Sequence, residues 1–307
     1  MKKSRMEPFT TIFALLILTL LFAARPCFAD IYYSDGGTYN FNTTLPAGTV
    51  WLGGGTTANI YSSGNITGAI TNNGFAWGIS SSSSQINMYG GTITGGTGGF
   101  VDGIDLSGGS QINMYGGTIT GGSGGFADGI LTSNSGTMNI YGGSITGGSG
   151  GFTNGIFAEY NTGPVNIYGG TITAGSGFFG VDASYNSLVN IHGGNITAGS
   201  GGFGSVTSDY SSTVNIYGGN INGFIEVLYG GTVDIFGSGF NYGYGQVNSP
   251  YINLTGTLSD GTPINVALEN VEGNLILSPS PTPIPSAAYL FGSGLLGLIG
   301  IRKKIRK

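Results

Sequence analysis

The residues of this sequence that could do chemistry are few and almost all acidic. Asp102 and Asp128 occupy equivalent places, each before a glycine, and Asp105 follows the first closely. Carboxylates stacked one strand spacing apart repel, so one of them takes up a proton, as a general acid in glycoside hydrolysis must. The same column begins at Trp77 and continues at Asn154, and Asp182 is a candidate equivalent of Asp105. With loop carbonyls, Asp102, Asp105, Asp128 and Asn154 also offer oxygen ligands of the kind calcium takes. The plainer reading is that Asp-Gly and Asn-Gly make turns. No Gly-Gly-x-Gly-x-Asp run of the calcium-binding solenoid type occurs. The single histidine, His192, stands where other copies of its segment carry tyrosine, and no Ser-His-Asp set is visible. These patterns lead us to expect no catalytic residues, no metal and no cofactor. Asp102, Asp105 and Asp128 are the candidates if the chain is instead a polysaccharide-acting hydrolase or a calcium-binding adhesin.

Charge narrows the partners. The nine Lys and Arg are Lys2, Lys3, Arg5, Arg25, Arg302, Lys303, Lys304, Arg306 and Lys307, so none falls between Asp30 and Ile301. Of the 14 acids only Glu7 lies outside that span, which leaves 14 − 1 = 13 within it. A body near −13 has no means of neutralising phosphate, and nucleic acid is excluded as a partner. It also lacks the Arg or Lys base of familiar β-helix lyases.

The elements that would position any site are written in a repeat. Asn-(Ile/Met)-Tyr-Gly-Gly begins at Asn87, Asn113, Asn139 and Asn166, and with His for Tyr at Asn190, then again at Asn215; by subtraction the steps are 26, 26, 27, 24 and 25 residues. Degenerate copies lie at Asn59 and Asp234. This period marks a solenoid, whose repeats are too small to bury a core alone. In Ile112-Asn113-Met114-Tyr115 the alternation puts Ile112 and Met114 on one side and Asn113 and Tyr115 on the other. Gly116-Gly117 turns the chain, Thr118-Ile119-Thr120 makes a second strand with Ile119 inward, and Gly121 to Gly125 makes a second corner. Phe126 to Ile130 gives a third strand.

Stacking predicts columns: isoleucine from Ile66 to Ile221, tyrosine from Tyr61 through His192 to Phe236, and phenylalanine at Phe75, Phe100, Phe126, Phe152, Phe179 and Phe203. The asparagines from Asn59 to Asn215 are placed to form an amide ladder. The tyrosines are either packed internally or free to stack on sugar rings. The fold class is therefore all-β, a single parallel β-helix (β-solenoid) of 24–27-residue coils with terminal caps and a short C-terminal transmembrane helix.

In chain order, residues 1–29 read as a secretory signal peptide, with a basic start, an apolar stretch from Ile12 to Ala24 and the ending Cys27-Phe28-Ala29. Cleavage there removes the only cysteine. Residues 30–58 read as an N-terminal cap, 59–236 as the solenoid and 237–277 as a C-terminal cap with a hairpin turning at Ser259 to Pro263. Residues 278–286 form a Pro-rich linker. Residues 287–307 combine an uncharged apolar segment, Ala287 to Ile301, with a basic tail, the arrangement of a short span stopped on the cytoplasmic side.

That tail resembles the PEP-CTERM sorting signals of exported bacterial proteins. The residues that carry the resemblance are Pro283 and Pro285, then Gly292, Gly294, Leu295, Leu296 and Gly297 in Leu-Phe-Gly-Ser-Gly-Leu-Leu-Gly-Leu, and the cluster Arg302, Lys303 and Lys304. Ile284 stands between the prolines where the motif's name has Glu. The glycine-rich repeats and the Leu254 to Asn265 segment are similar to repeats in other proteins bearing this tail. The resemblance implies processing near the prolines by an exosortase-like membrane transpeptidase. It further implies transient residence in the inner membrane of a Gram-negative bacterium and a final place at the cell surface or in the extracellular matrix. The expected function is that of a noncatalytic exported repeat protein, structural or adhesive in an exopolysaccharide or biofilm matrix. Its expected partners are extracellular polysaccharide or other copies of itself.

Overall fold

The computed structural model describes residues 30–70, 74–201 and 203–281. The expected signal peptide, the linker beyond 281 and the sorting signal lie outside the described residues. Among the described residues every regular element is a β-strand.

One coil shows the plan. Ile104–Ser107, Gln111–Met114, Thr118–Thr120 and Ser123–Phe126 follow one another around the axis, and each pairs in parallel with its equivalent in the coils before and after. We call the four faces they build the acidic, asparagine, threonine and glycine faces. The threonine face has seven strands and the glycine face three. The register is like on like: Asn87, Asn113, Asn139, Asn166, Asn190 and Asn215 pair in sequence, as do Ile93, Ile119, Ile145, Ile172, Ile196 and Ile221. The chain is thus an all-β parallel solenoid, as the repeat implies.

Alternation along each strand sets what is inside. Ile112, Met114 and Ile119 are fully buried, while Asn113 is half-buried and Tyr115 exposed. The isoleucines stack into one continuous aliphatic core with Met, Val and Leu from the acidic and asparagine faces. Burying one such side chain contributes about 1.5–3 kcal/mol. Outside, the asparagine face carries a file of amides. Each Nδ2 donates to the Oδ1 of the preceding coil at 2.9–3.1 Å, from Asn215 back to Asn40.

Glycine has two separate tasks here. Gly117 turns the chain from the asparagine to the threonine face in the left-handed region, with φ +92°. Gly122 serves instead for close approach, because a Cβ there would run into the Gly96 carbonyl of the preceding coil. The glycine run expected as a corner is for that reason partly a strand. Thr97–Phe100, Ser123–Phe126 and Ser149–Phe152 pair through their glycines, and the expected third strand, Phe126 to Ile130, splits into this one and the next coil's Ile130–Thr132.

The ladder also extends beyond the clear repeats. Ile31–Tyr33 pairs in parallel with Val50–Leu52, and Thr38–Phe41 with Thr57–Ile60, so the segment expected as an N-terminal cap carries the same faces. At the far end Ile252–Leu258 and Pro263–Val271 form the expected antiparallel hairpin. Asp260 makes its turn by accepting the Thr262 N–H at 2.8 Å. Pro263–Val271 then continues the acidic face, and Asn274–Pro279 the asparagine face. That last strand runs into the stretch expected as linker and ends on Pro279, which has no N–H to donate.

Ile119→Ala should lower stability by about 2–5 kcal/mol, the cost of a cavity in a packed stack. Ser133→Ala, at an outer corner, should stay within about 0.5 kcal/mol. Urea denaturation followed by circular dichroism distinguishes the two, and equal effects would mean that the stack does not carry the stability.

Candidate functional site

The acidic residues are held by two structural devices. The first is a chain of side-chain-to-backbone bonds at the corner between the glycine and acidic faces. Trp77 Nε1 donates to Asp102 Oδ2 at 3.2 Å, and the Asp128 N–H donates to Asp102 Oδ1 at 2.8 Å. The Asn154 N–H donates to Asp128 Oδ1 at 2.6 Å, and the Phe179 N–H to Asn154 Oδ1 at 3.0 Å. Each side chain therefore ties its coil to the next, a role that the simple turn reading of Asp-Gly did not include. Asp102, Asp128 and Asn154 are all buried.

The second device is the outer side of the acidic face. Asp105, Leu131, Phe157, Asp182, Thr207 and Glu226 follow one another there in register, which confirms Asp182 as the equivalent of Asp105. On the exterior of a plain rod these side chains would meet water. Here Thr207 and Glu226 are buried. A cleft of about 380 Å³ runs beside them, with Phe152, Phe178 and Phe203 as one wall. Asp128, Asp182, Asp209 and Glu226 open onto it. Glu226 Oε1 accepts from Asn270 Nδ2 at 2.6 Å, whereas the buried Oδ1 atoms of Asp182 and Asp209 have no hydrogen-bond partner.

Of the three candidates named above, only Asp128 opens onto this cleft. Asp102 is fully enclosed, and Asp105 accepts from Ser80 Oγ at 3.4 Å. Among the described residues no group of three or more acidic, His or Cys side chains is placed to hold a metal ion.

With no Lys or Arg in the body, burial acts on these carboxyls unopposed by any cation. Desolvation, followed by the Asp128 charge, pushes Asp102 well above the usual carboxylate range. Desolvation raises Asp105 to about 6, Glu159 to about 7 and Asp128 to about 8. Asp182 is raised well above its ordinary value by desolvation and then by Asp209.

The aromatic columns are the other candidate surface. Tyr61, Tyr89, Tyr115, Tyr141, Tyr168, His192, Tyr217 and Phe236 form one file, with ring centroids 4.4–5.5 Å apart and rings nearly parallel. His192 is a member of that file, as its tyrosine position implies, and burial lowers its pKa. The tyrosines from Tyr61 to Tyr168 are 40–50% exposed, so the file is not internal packing. The ring faces already cover one another, and what the interior of the file offers is edges and hydroxyls. Sugar stacking on those ring faces, one of the two expectations for this column, is thereby closed off.

The phenylalanine file needs one correction. Its fifth member is Phe178, stacked between Phe152 at 4.9 Å and Phe203 at 4.2 Å, whereas Phe179 turns into the core. Thr173 to Gly180 spans seven residue steps where Thr146 to Gly155 spans nine, so the shorter lobe changes the phase. A third file, Tyr160, Tyr185, Tyr210 and Tyr229, was not anticipated, although its first two steps, 185 − 160 = 25 and 210 − 185 = 25 residues, keep the solenoid's period and only the last shortens to 229 − 210 = 19. Its members sit at a tight corner with positive φ, a conformation that tyrosine rarely adopts and that masks the pattern.

The raised carboxyls make stability depend on pH. Their folded pKa values exceed the unfolded ones, so the folded chain holds more protons between about pH 4 and pH 8. Stability should fall as pH rises through that window, with Tm higher at pH 5 than at pH 8.5 by calorimetry. Asp128→Asn keeps the Oδ1 acceptor for Asn154 and should flatten the upper part of the profile. A rise in Tm toward pH 8.5 would contradict the burial of these groups.

No protein-family model, curated protein or solved structure matches this chain.

Proposed function

We propose that this chain is a noncatalytic exported repeat protein with a structural or adhesive role at the cell surface or in an exopolysaccharide matrix. The observation that carries this reading is the set of outward files kept in register from coil to coil. Tyrosine hydroxyls repeat along one edge, and the threonine face adds Thr94, Thr120, Thr146, Thr173 and Thr197 as a second hydroxyl row. A polymer of repeating hydroxylated units can meet such rows at many points at once, and many weak contacts sum to avidity. The placement of the candidate carboxyls supports the noncatalytic choice over a hydrolase: of Asp102, Asp105 and Asp128, which a hydrolase would bring together, only Asp128 opens onto the cleft.

Co-sedimentation of the full chain with insoluble exopolysaccharide tests the adhesive role. Tyr115→Ala with Tyr141→Ala should weaken retention several-fold while the far-ultraviolet spectrum stays that of the parent. No retention of the parent chain, or release of reducing ends during incubation, would defeat the proposal.

The ends of the solenoid complete the reading. The hairpin at Ile252 to Val271 and the aromatic residues Tyr33, Tyr39 and Phe41 act as caps that keep the edge strands from pairing with other chains. The tail acts as the sorting signal, with Pro283, Pro285 and the Gly292–Gly297 core presented to an exosortase-like transpeptidase and Arg302, Lys303 and Lys304 held inside. A tag placed after Lys307 should part from the body when that enzyme is present. Tag and body remaining in one full-length membrane species would make the tail an ordinary anchor.

A further inference from the structure

We infer that the cleft between the phenylalanine file and the acidic face binds an organic ammonium ion carrying an apolar body. The site lies apart from the hydroxyl rows, and the inference does not rest on the polysaccharide reading. Three independent features converge on it.

The first is shape and lining. The cleft holds about 380 Å³, within the size range of small-molecule sites. Phe152, Phe178 and Phe203 make an apolar wall, with Phe157 and Leu228 nearby. Because the rings of the file stack on one another, at 4.9 Å and 4.2 Å, they turn their edges to the cleft. Ring edges carry the positive part of the aromatic quadrupole, so this wall suits hydrocarbon and repels a cation. The charge of a bound ligand must therefore sit on the opposite, acidic side.

The second is the unsatisfied acid. Asp182 sits in the outward column between Phe157 and Thr207 and opens onto the cleft, yet its enclosed Oδ1 accepts no hydrogen bond. Asp209, whose side chain also takes a hydrogen bond from Ser184, presents a second such oxygen. A buried acceptor without a donor is destabilising, and a ligand that supplies the donor relieves that cost. An ammonium ion supplies positive charge, and a primary ammonium also supplies N–H donors.

The third is the composition of the whole body. Between Asp30 and Ile301 there is no Lys or Arg, so no side chain of the body can fill the place of the cation. A cation in the cleft would favour the ionised form of Asp182, whose carboxyl burial now pushes well above the usual carboxylate range. An inorganic ion is the poorer occupant. The described residues place no set of three ligands for one, and the phenylalanine wall offers it nothing.

The test uses a cation and its neutral isostere on the full chain. 3,3-Dimethylbutylammonium and 3,3-dimethyl-1-butanol have nearly the same shape and differ in charge. Titration calorimetry at pH 7.5 should show the ammonium binding, with the alcohol weaker by roughly tenfold or more, as expected for loss of a desolvated charge contact. Asp182→Asn with Asp209→Asn should lower the ammonium's affinity by a similar factor while leaving the alcohol unchanged. Equal affinities would reduce the cleft to an apolar pocket, and no binding of either would remove it as a site. Displacement of the ammonium by calcium at equal concentration would reassign it to a metal. Each of these results overturns the inference. If the double variant fails to fold, the isostere pair still decides the matter on the parent chain.

Discussion

Parallel, in-register stacking is the constraint on which everything else in this molecule depends. A residue's nearest neighbours are its own equivalents, about 4.8 Å above and below. A side chain is admitted to a column only if it is compatible with copies of itself. Asparagine satisfies that condition, because each amide carries both a donor and an acceptor, and eight of them run unbroken from Asn40 to Asn215. The ladder stops where the next equivalent is Asp234, whose buried Oδ1 finds no partner. Aromatic rings satisfy the condition by stacking, isoleucine by close packing, and glycine by leaving room for the neighbouring backbone.

Carboxylates do not satisfy it, and the structure shows how the chain accommodates them. At the inner corner the column reads Trp77, Asp102, Asp128, Asn154, so two acids are neighbours, and Asp102, Asp128 and Asn154 each accept a backbone or ring N–H instead of facing their own kind unaided. On the outer side Leu131, Phe157 and Thr207 space the acids as far as Glu226, which faces Glu269 in the next rung and accepts from Asn270 instead. Burial, and after it the neighbouring carboxylates, pushes these groups toward their protonated form, and the body carries no Lys or Arg to oppose it.

This self-compatibility rule is also why much of the fold was legible in sequence. The isoleucine and asparagine columns could be read because both strands lie at constant distance from a Gly-Gly turn. Legibility failed where the path between strands changes length. The glycine lobe loses two residues between Thr173 and Gly180, which moved the phenylalanine column from Phe179 to Phe178. Asn40 precedes Asn59 by 19 residues, the same short step that separates Asn215 from Asp234, so the first coils followed a spacing already seen at the other end. The cleft was the least legible feature. Asp128, Asp182, Asp209 and Glu226 come from different coils, and only the covering lobe of phenylalanines turns their exposed side into an enclosed one.

The like-on-like register of the central coils has a consequence for how such a chain can change over time. From Asn87 to Asn166 one coil presents to its successor nearly the same surface that it receives from its predecessor. Duplication or loss of a whole coil in that stretch leaves every column intact and alters only the length of the rod. A single-residue insertion inside a strand throws one rung out of phase with both neighbours. Copy number is thus the inexpensive variable of this architecture, and a longer or shorter reach is available to it without any new kind of contact.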